Sequence, residues 1–396
     1  MTATVPSMIG QFNMNNIQIL QRMGYEVDVA CDFNDRSVWT TRRVEQFKIE
    51  LNKLHVDYFQ VDYSRSPLRI LKHIKSYQQL NRLVKERGYD FIHCHTPVAS
   101  VISRIVAHEN RVKIIYTAHG FHFYDGAPLK NWIIFYPVEK LFSRWTDVLI
   151  TINSEDYERA KDKFSAGKVE YVPGVGIDTN KFHSDIIHKR RKREELKLTD
   201  RDIMILSVGE LSLRKNHKVV IEALAELKNL EGFDQIRYFI CGQGEQREDL
   251  QRLANGLGIE NNVHFLGYRT DIDELCQAAD LFILPSLQEG LPVALMEAIA
   301  TQTPVLCSDI RGNSDLIHNP KFLFDPKNKN DLKILLQDEL KDERGGIERE
   351  KIINRLQRNN DNNKEIIKKI DISGSFRCFI CLLYTSDAAD DSLRVD

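Results

Sequence analysis

From Asn15 to about Leu340, short apolar runs alternate with longer stretches of helical periodicity, and this rhythm constrains the fold more than any other feature of the chain. The runs fall at residues 26–31, 56–61, 90–94, 113–118, 148–151 and 169–172, then at 203–208, 237–241, 263–266 and 281–284. Apolar runs this short read as buried strands. A helix between successive strands favours parallel pairing, since parallel neighbours need a long crossover. The expected class is therefore α/β, built on doubly wound parallel sheets with helices on both faces. A length of 396 residues suggests two such domains, and Pro173-Gly174-Val175-Gly176-Ile177-Asp178 reads as the turn-rich linker. The expected boundaries are 1–175 and 176–345. A return helix is expected within 346–375, and 376–396 looks like a non-native tail of translated adapter sequence.

Bulk properties exclude several classes. A net charge of -2 gives no argument for nucleic acid, and no run approaches the roughly 18 apolar residues of a membrane span. Cys31, Cys94, Cys241, Cys276 and Cys307 fall inside expected strands or helices, as small core residues do in a reducing cytosol. Cys378 and Cys381 form a lone Cys-x2-Cys, which is poor evidence for zinc. No signal or transit peptide is visible, so a cytoplasmic protein is expected. A doubly wound domain should open with an apolar strand, yet only Thr2 to Val5 precede Pro6. Most of strand one is expected to be missing, with Met1 replacing earlier residues, and the loop at 6–11 lacks paired glycines.

Chemistry concentrates at residues 284–300, where a strand ends at Pro285, a turn carries Glu289 and Gly290, and a helix starts near Pro292. Unpaired N–H groups at a helix start carry partial positive charge, so Gly290, Leu291 and Val293 form a cradle for a phosphate. Glu297 lies about a turn into the helix and leans back toward the same end. Two carboxylates beside a phosphate repel it unless they accept hydrogen bonds from hydroxyls. A nucleotide sugar supplies both the phosphates and the hydroxyls.

Other loops add candidates. Arg214 and Lys215 follow the first strand of the second half, where a cation can neutralise a departing diphosphate. Gly242 and Gly244 make a turn that lets backbone approach a ligand closely. Arg247 occupies the last position of Gly-x-Gly-x-x-Gly, so a dinucleotide site is not supported. His95 and His119 end strands in the first half, where ligands of open α/β sheets sit. Position favours a functional His119, the alternative being a hydrogen-bonded structural histidine at a strand end. The cluster His93-Cys94-His95 is not read as a metal site, on the argument that adjacent strand residues alternate faces. The aromatic stretch 118–142 reads as a loop between strand and helix, with Phe121 and His122 on the acceptor side. The helix at 67–87 is basic and amphipathic, either packed on the sheet or docked on an anionic membrane. The basic run 188–193 reads as a solvated helix start, with contact to anionic lipid as the alternative.

Within Glu-Gly-Leu-Pro-x5-Glu-Ala, the spacing of Glu289 and Glu297 as Glu-x7-Glu resembles the donor-site signature of retaining glycosyltransferases of family 4, group 1. Bacterial capsule and exopolysaccharide sugar transferases are the nearest in kind. The resemblance covers roughly residues 15–324 and implies the GT-B fold, two Rossmann-like domains facing across a cleft. It implies an N-terminal acceptor side and a C-terminal nucleotide-sugar donor domain. It assigns Glu289 to the donor sugar and Glu297 to the ribose. Lys215 is assigned to phosphate, His119 to the donor's sugar or phosphate, and the loop of Tyr268 and Arg269 to the nucleobase. The implied reaction moves a sugar from a UDP-linked donor to a lipid-linked saccharide, with retention, without metal or cofactor, at the inner face of the plasma membrane. Many relatives carry Arg directly after Gly209, where this chain has Glu210, so one phosphate contact is missing. Two other readings stay open: a nucleotide-sugar epimerase or hydrolase on the same fold, and a truncated binding fragment without catalysis.

Overall fold

The computed structural model describes residues 1–174 and 176–340. The expected return helix at 346–375, the tail at 376–396 and the Cys378/Cys381 pair lie outside the described residues. The chain divides between Val175 and Gly176 into two compact units.

The first unit carries six parallel strands: β1 (Asp28–Cys31), β2 (Asp57–Gln60), β3 (Phe91–Cys94), β4 (Lys113–Ala118), β5 (Val148–Thr151) and β6 (Lys168–Tyr171). They pair as β1-β2 and as β3-β4-β5-β6, and the gap between β1 and β3 is filled by the first residues of the chain. The N–H of Thr2 donates to His93 O (2.8 Å), and the N–H of His95 donates to Thr2 O (3.1 Å). On the other side Ala30 N–H donates to Met1 O, and Ala3 N–H to Ala30 O. The strand expected to be missing is thus represented by Met1 to Thr4, which join the two groups in parallel. The expected loop at 6–11 is instead a helix, Pro6–Phe12, opened by a proline whose fixed φ suits the first turn.

Helices between strands follow local signals. Thr40 caps Thr41–Lys53 and Asn153 caps Ser154–Lys163 through side-chain oxygens, while Gly88 ends Ile70–Arg87 at φ 65°. The amphipathic helix begins at Ile70 rather than 67. The aromatic stretch is mostly a helix, Leu129–Phe142, with Pro137 inside it. A buried ion pair fixes that helix from below: Arg104 Nη2 meets Glu139 Oε2 at 2.8 Å, and the Tyr116 hydroxyl reaches Glu139 Oε1 at 3.2 Å. Its other face exposes Leu129, Ile133, Ile134 and Leu141, and Leu68, Ile70, Leu71 and Ile74 are likewise exposed around the start of Ile70–Arg87.

The second unit has one six-stranded parallel sheet in the order β12-β11-β10-β7-β8-β9. Its strands are β7 (Ile203–Val208), β8 (Ile236–Cys241), β9 (Val263–Gly267), β10 (Leu281–Leu284), β11 (Val305–Ser308) and β12 (Leu323–Phe324). β7 and β10 are buried along nearly their whole length, which is why they read as continuous apolar runs rather than alternating ones. Ile203, Ile205, Tyr238, Ile240, Leu281 and Ile283 share a core with helix residues such as Val220, Leu224, Leu250 and Leu336. Each such aliphatic side chain contributes roughly 1.5–3 kcal/mol. The order reverses between β7 and β10, so the loops leaving these two strands flank the sheet's switch point, where open α/β sheets bind ligands. The basic run at 188–193 lies in the helix Ile186–Glu195 but is not simply solvated. Lys192 and Arg193 are buried, and Arg193 pairs with Asp280 at 2.9 Å. The five core cysteines are buried free thiols.

Candidate functional site

At the switch point of the second unit, the loop after β7 is laced to the loop after β10. Leu287 N–H donates to Arg214 O, Arg214 Nη1 donates to Gln288 O, and Asn216 Nδ2 donates to Pro285 O and Pro326 O. Asn216 adopts a left-handed conformation at φ 54°, which Asn tolerates better than most residues. Sequence reading missed this residue, and its signal was an Asn between a cationic turn and a helix start.

Within this frame Lys215 Nζ sits 2.6 Å from Glu289 Oε1, and Arg214 Nη1 sits 3.5 Å from Oε2. Glu289 is only 8% exposed. Burial would raise its pKa, but Lys215 and then Arg214 outweigh that and hold the carboxyl below its ordinary value, so it stays ionised. Glu297 behaves in the opposite way. Burial raises it to about 7, with Lys181 opposing the rise, so it is poised between acid and carboxylate near neutrality. It opens the second turn of the helix Val293–Ala300. Among the described residues the backbone N–H groups of Gly290, Leu291 and Val293 donate to no protein acceptor. Two cations, three open N–H groups and two acids of different charge state thus border one loop pair. The set can receive a diphosphate together with hydroxyls.

The glycines have a structural reason. A Cβ on Gly242 would lie 1.9 Å from Gly209 O, and one on Gly244 2.3 Å from Leu211 O. What these glycines admit closely is the chain's own β7 loop, and that packing alone requires them. Gly312, which sequence reading passed over, holds the acid loop from the far side, since its Cβ would lie 2.3 Å from Gly290 O. Arg269, expected in the nucleobase loop, is engaged by Asp271 at 2.7 Å and Glu195 at 2.9 Å. Glu195, Asp271 and Glu274 are the only group of three metal-capable side chains among the described residues. Lys192 Nζ already meets them at 2.5, 2.6 and 2.9 Å. Glu210 is exposed.

In the first unit His95 and His119 meet at the ends of β3 and β4, with His95 Nδ1 3.3 Å from His119 Nε2. His93 and His95 stand two apart and share a face, with ring centroids 4.1 Å apart, as strand alternation dictates for residues i and i+2. Burial lowers the pKa of His93 to about 3 and that of His119 to about 4, so both are neutral at physiological pH. Phe121 is 3% exposed and stacks on Phe123, which makes it core rather than an acceptor contact. His122 is exposed and stacks on Phe135.

A family profile described as Glycosyl transferases group 1 matches residues 188–359, and one described as Glycosyltransferase Family 4 matches residues 11–181. EpsD of Bacillus subtilis (strain 168), named as a glycosyltransferase, is 36% identical over 322 residues, covering 80% of this chain and 80% of EpsD. The chain belongs to the family 4, group 1 glycosyltransferases. This glycosyltransferase is also 29% identical over 256 residues to the Escherichia coli UDP-Gal:alpha-D-GlcNAc-diphosphoundecaprenol alpha-1,3-galactosyltransferase, covering 64% of this chain and 66% of that enzyme. The crystal structure of Anabaena HepE in complex with UDP superposes with a TM-score of 0.73 at 19% identity, covering 97% of this chain and 99% of HepE, and the fold is GT-B.

Proposed function

We propose that the enzyme transfers a sugar from a UDP-linked donor to a lipid-linked saccharide in exopolysaccharide or capsule assembly, retaining anomeric configuration. The observation that carries this reading is the Lys215–Glu289 pair beside the unpartnered N–H groups of Gly290, Leu291 and Val293. The cations and N–H groups would receive the diphosphate, whose charge grows as the sugar–phosphate bond breaks. Glu289 would hold sugar hydroxyls and Glu297 the ribose. The acceptor oxygen forms its bond to the anomeric carbon on the face the diphosphate leaves, and a diphosphate oxygen takes the acceptor's proton. Neither a metal nor a cofactor enters this scheme, because Lys215, Arg214 and the helix start supply the positive charge.

The lipid-linked acceptor is supported by the E. coli relative, whose name specifies a diphosphoundecaprenol-linked sugar and a UDP donor. It is supported also by the exposed Leu68, Ile70 and Leu71 beside Arg69 and Lys72, chemistry suited to an anionic membrane surface. Among the described residues no helix is long and apolar enough to cross a membrane.

The test is thermal unfolding with UDP, GDP and ADP side by side, followed by transfer from a panel of UDP-sugars to a diphosphoundecaprenol-linked sugar with the product anomer read by NMR. Selective stabilisation by UDP and an acceptor-dependent, retained product are expected. Net conversion of the donor without acceptor would replace transfer by epimerisation or hydrolysis. A sharp transition that no nucleotide moves would leave a binding fragment.

A further inference from the structure

We propose that a cavity of the first unit, between the helices Leu129–Phe142 and Ser154–Lys163, binds a neutral saccharide, with Trp132 and Tyr136 as its aromatic wall and with Glu158 and Asp162 accepting from the sugar hydroxyls. Every residue involved lies between positions 123 and 164, so the site is complete within one unit and stands apart from the donor loops of the other.

The cavity has a volume of about 380 Å³, within the range of small-molecule sites. Its aromatic wall follows from helical spacing: Trp132 and Tyr136 stand four apart on Leu129–Phe142 and meet on one face, with ring centroids 5.7 Å apart. Phe123 and Phe164 pack on Tyr136 with centroids 5.3 and 5.9 Å away, which holds the wall in place. The loop end of the cavity is held as well. The Arg159 side chain is only 12% exposed; its guanidinium lies 5.0 Å over the Trp132 ring and donates to Asp125 Oδ1 and Glu155 Oε1, both at 2.7 Å. The Asp125 N–H closes this clasp on Glu155 Oε1 at 2.9 Å. The other polar groups are uncommitted. Among the described residues Glu158, Asp162, Lys163, the indole N–H of Trp132 and the Tyr136 hydroxyl form no hydrogen bond or ion pair within the protein.

Charge and hydrogen-bonding capacity select the ligand. Four carboxylates border the cavity together with two cations, Arg159 and Lys163. An anion would face the carboxylates and a cation would face Arg159 and Lys163, whereas a neutral molecule incurs neither repulsion. Carboxylates only accept, while the ammonium and the indole only donate, so the ligand must offer donors and acceptors close together. The two rings add apolar surface beside those groups. A sugar carries hydroxyls that both donate and accept around an apolar C–H face, and so meets all three demands.

The experiment uses the full chain labelled with nitrogen-15, whose three tryptophans give three indole N–H resonances. Trp132→Phe assigns one of them by its loss. Titration with the methyl glycosides of glucose and of N-acetylglucosamine should move the Trp132 indole to saturation and leave those of Trp39 and Trp145 in place. Glu158→Gln combined with Asp162→Asn should weaken that binding about tenfold through the loss of two charged acceptors. Both side chains are exposed, so the urea midpoint should stay where it is. Absence of a saturable shift with either glycoside overturns the proposal, and so does undiminished affinity in the double variant. An equal Trp132 shift with tetramethylammonium or inorganic phosphate would make this a site for charged ligands and overturn it likewise. UDP alone should leave the Trp132 indole unmoved, and displacement of a bound glycoside by UDP would assign the cavity to the donor instead. UDP stabilisation in unfolding tests the donor reading separately.

Discussion

Lys215 and Glu289 form a pair in which one partner is nearly inaccessible, so removing the other leaves a buried charge. Lys215→Ala is expected to cost about 3 kcal/mol in urea unfolding and to abolish UDP stabilisation. Adding Glu289→Gln should recover part of that stability, and a double-mutant cycle measures the coupling. Because the folded-state pKa of Glu289 is depressed, its contribution is present above the unfolded-state value and lost as pH falls through the folded one. Glu297 has the opposite sign. Its pKa rises from 4.5 to about 7, so its contribution is full below the unfolded-state value and is lost as pH rises through about 7. Glu297→Gln should therefore raise Tm at about pH 8, by at most about 3 kcal/mol in stability, and leave it unchanged at about pH 4. The two acids were legible as a pair from their spacing. Their opposite pKa shifts were not, because the cation that ionises Glu289 comes from a loop on another strand.

At the scale of elements, the site depends on loops packed backbone to backbone. Gly244→Ala drives a methyl group against Leu211 O and should destabilise by about 1–3 kcal/mol while also weakening UDP binding, both read in one set of melting curves. The strand–helix rhythm made most elements legible, with β4, β5 and β7 expected at their observed ends. Three segments misled for physical reasons. Met1 to Thr4 are too few to show a strand pattern, yet pair on both sides. Pro137 and the crowd of rings disguised the helix Leu129–Phe142 as a loop. Lys192 and Arg193 looked solvated because their partners, Asp271, Glu274 and Asp280, are far away in sequence.

At the scale of the molecule, two doubly wound units were legible from length and alternation, whereas their exposed apolar surface depends on how the helices pack. Flotation with anionic vesicles should recover the protein, and Leu68→Ser with Leu71→Ser should reduce recovery more than Lys85→Ser near the far end of the helix Ile70–Arg87. Equal recovery would remove the membrane from the account. Chelation by EDTA is expected to leave the transfer rate unchanged, since Lys215 and Arg214 meet the diphosphate. The Arg104–Glu139 pair has a practical outcome as well. It bolts the helix Leu129–Phe142 down by its inner side, and rotating the helix to hide Ile133 and Ile134 would tear a buried charge from its partner. The greasy side cannot be turned away from water, so concentrated, lipid-free preparations should self-associate, and light scattering should fall when Ile133→Ser is introduced.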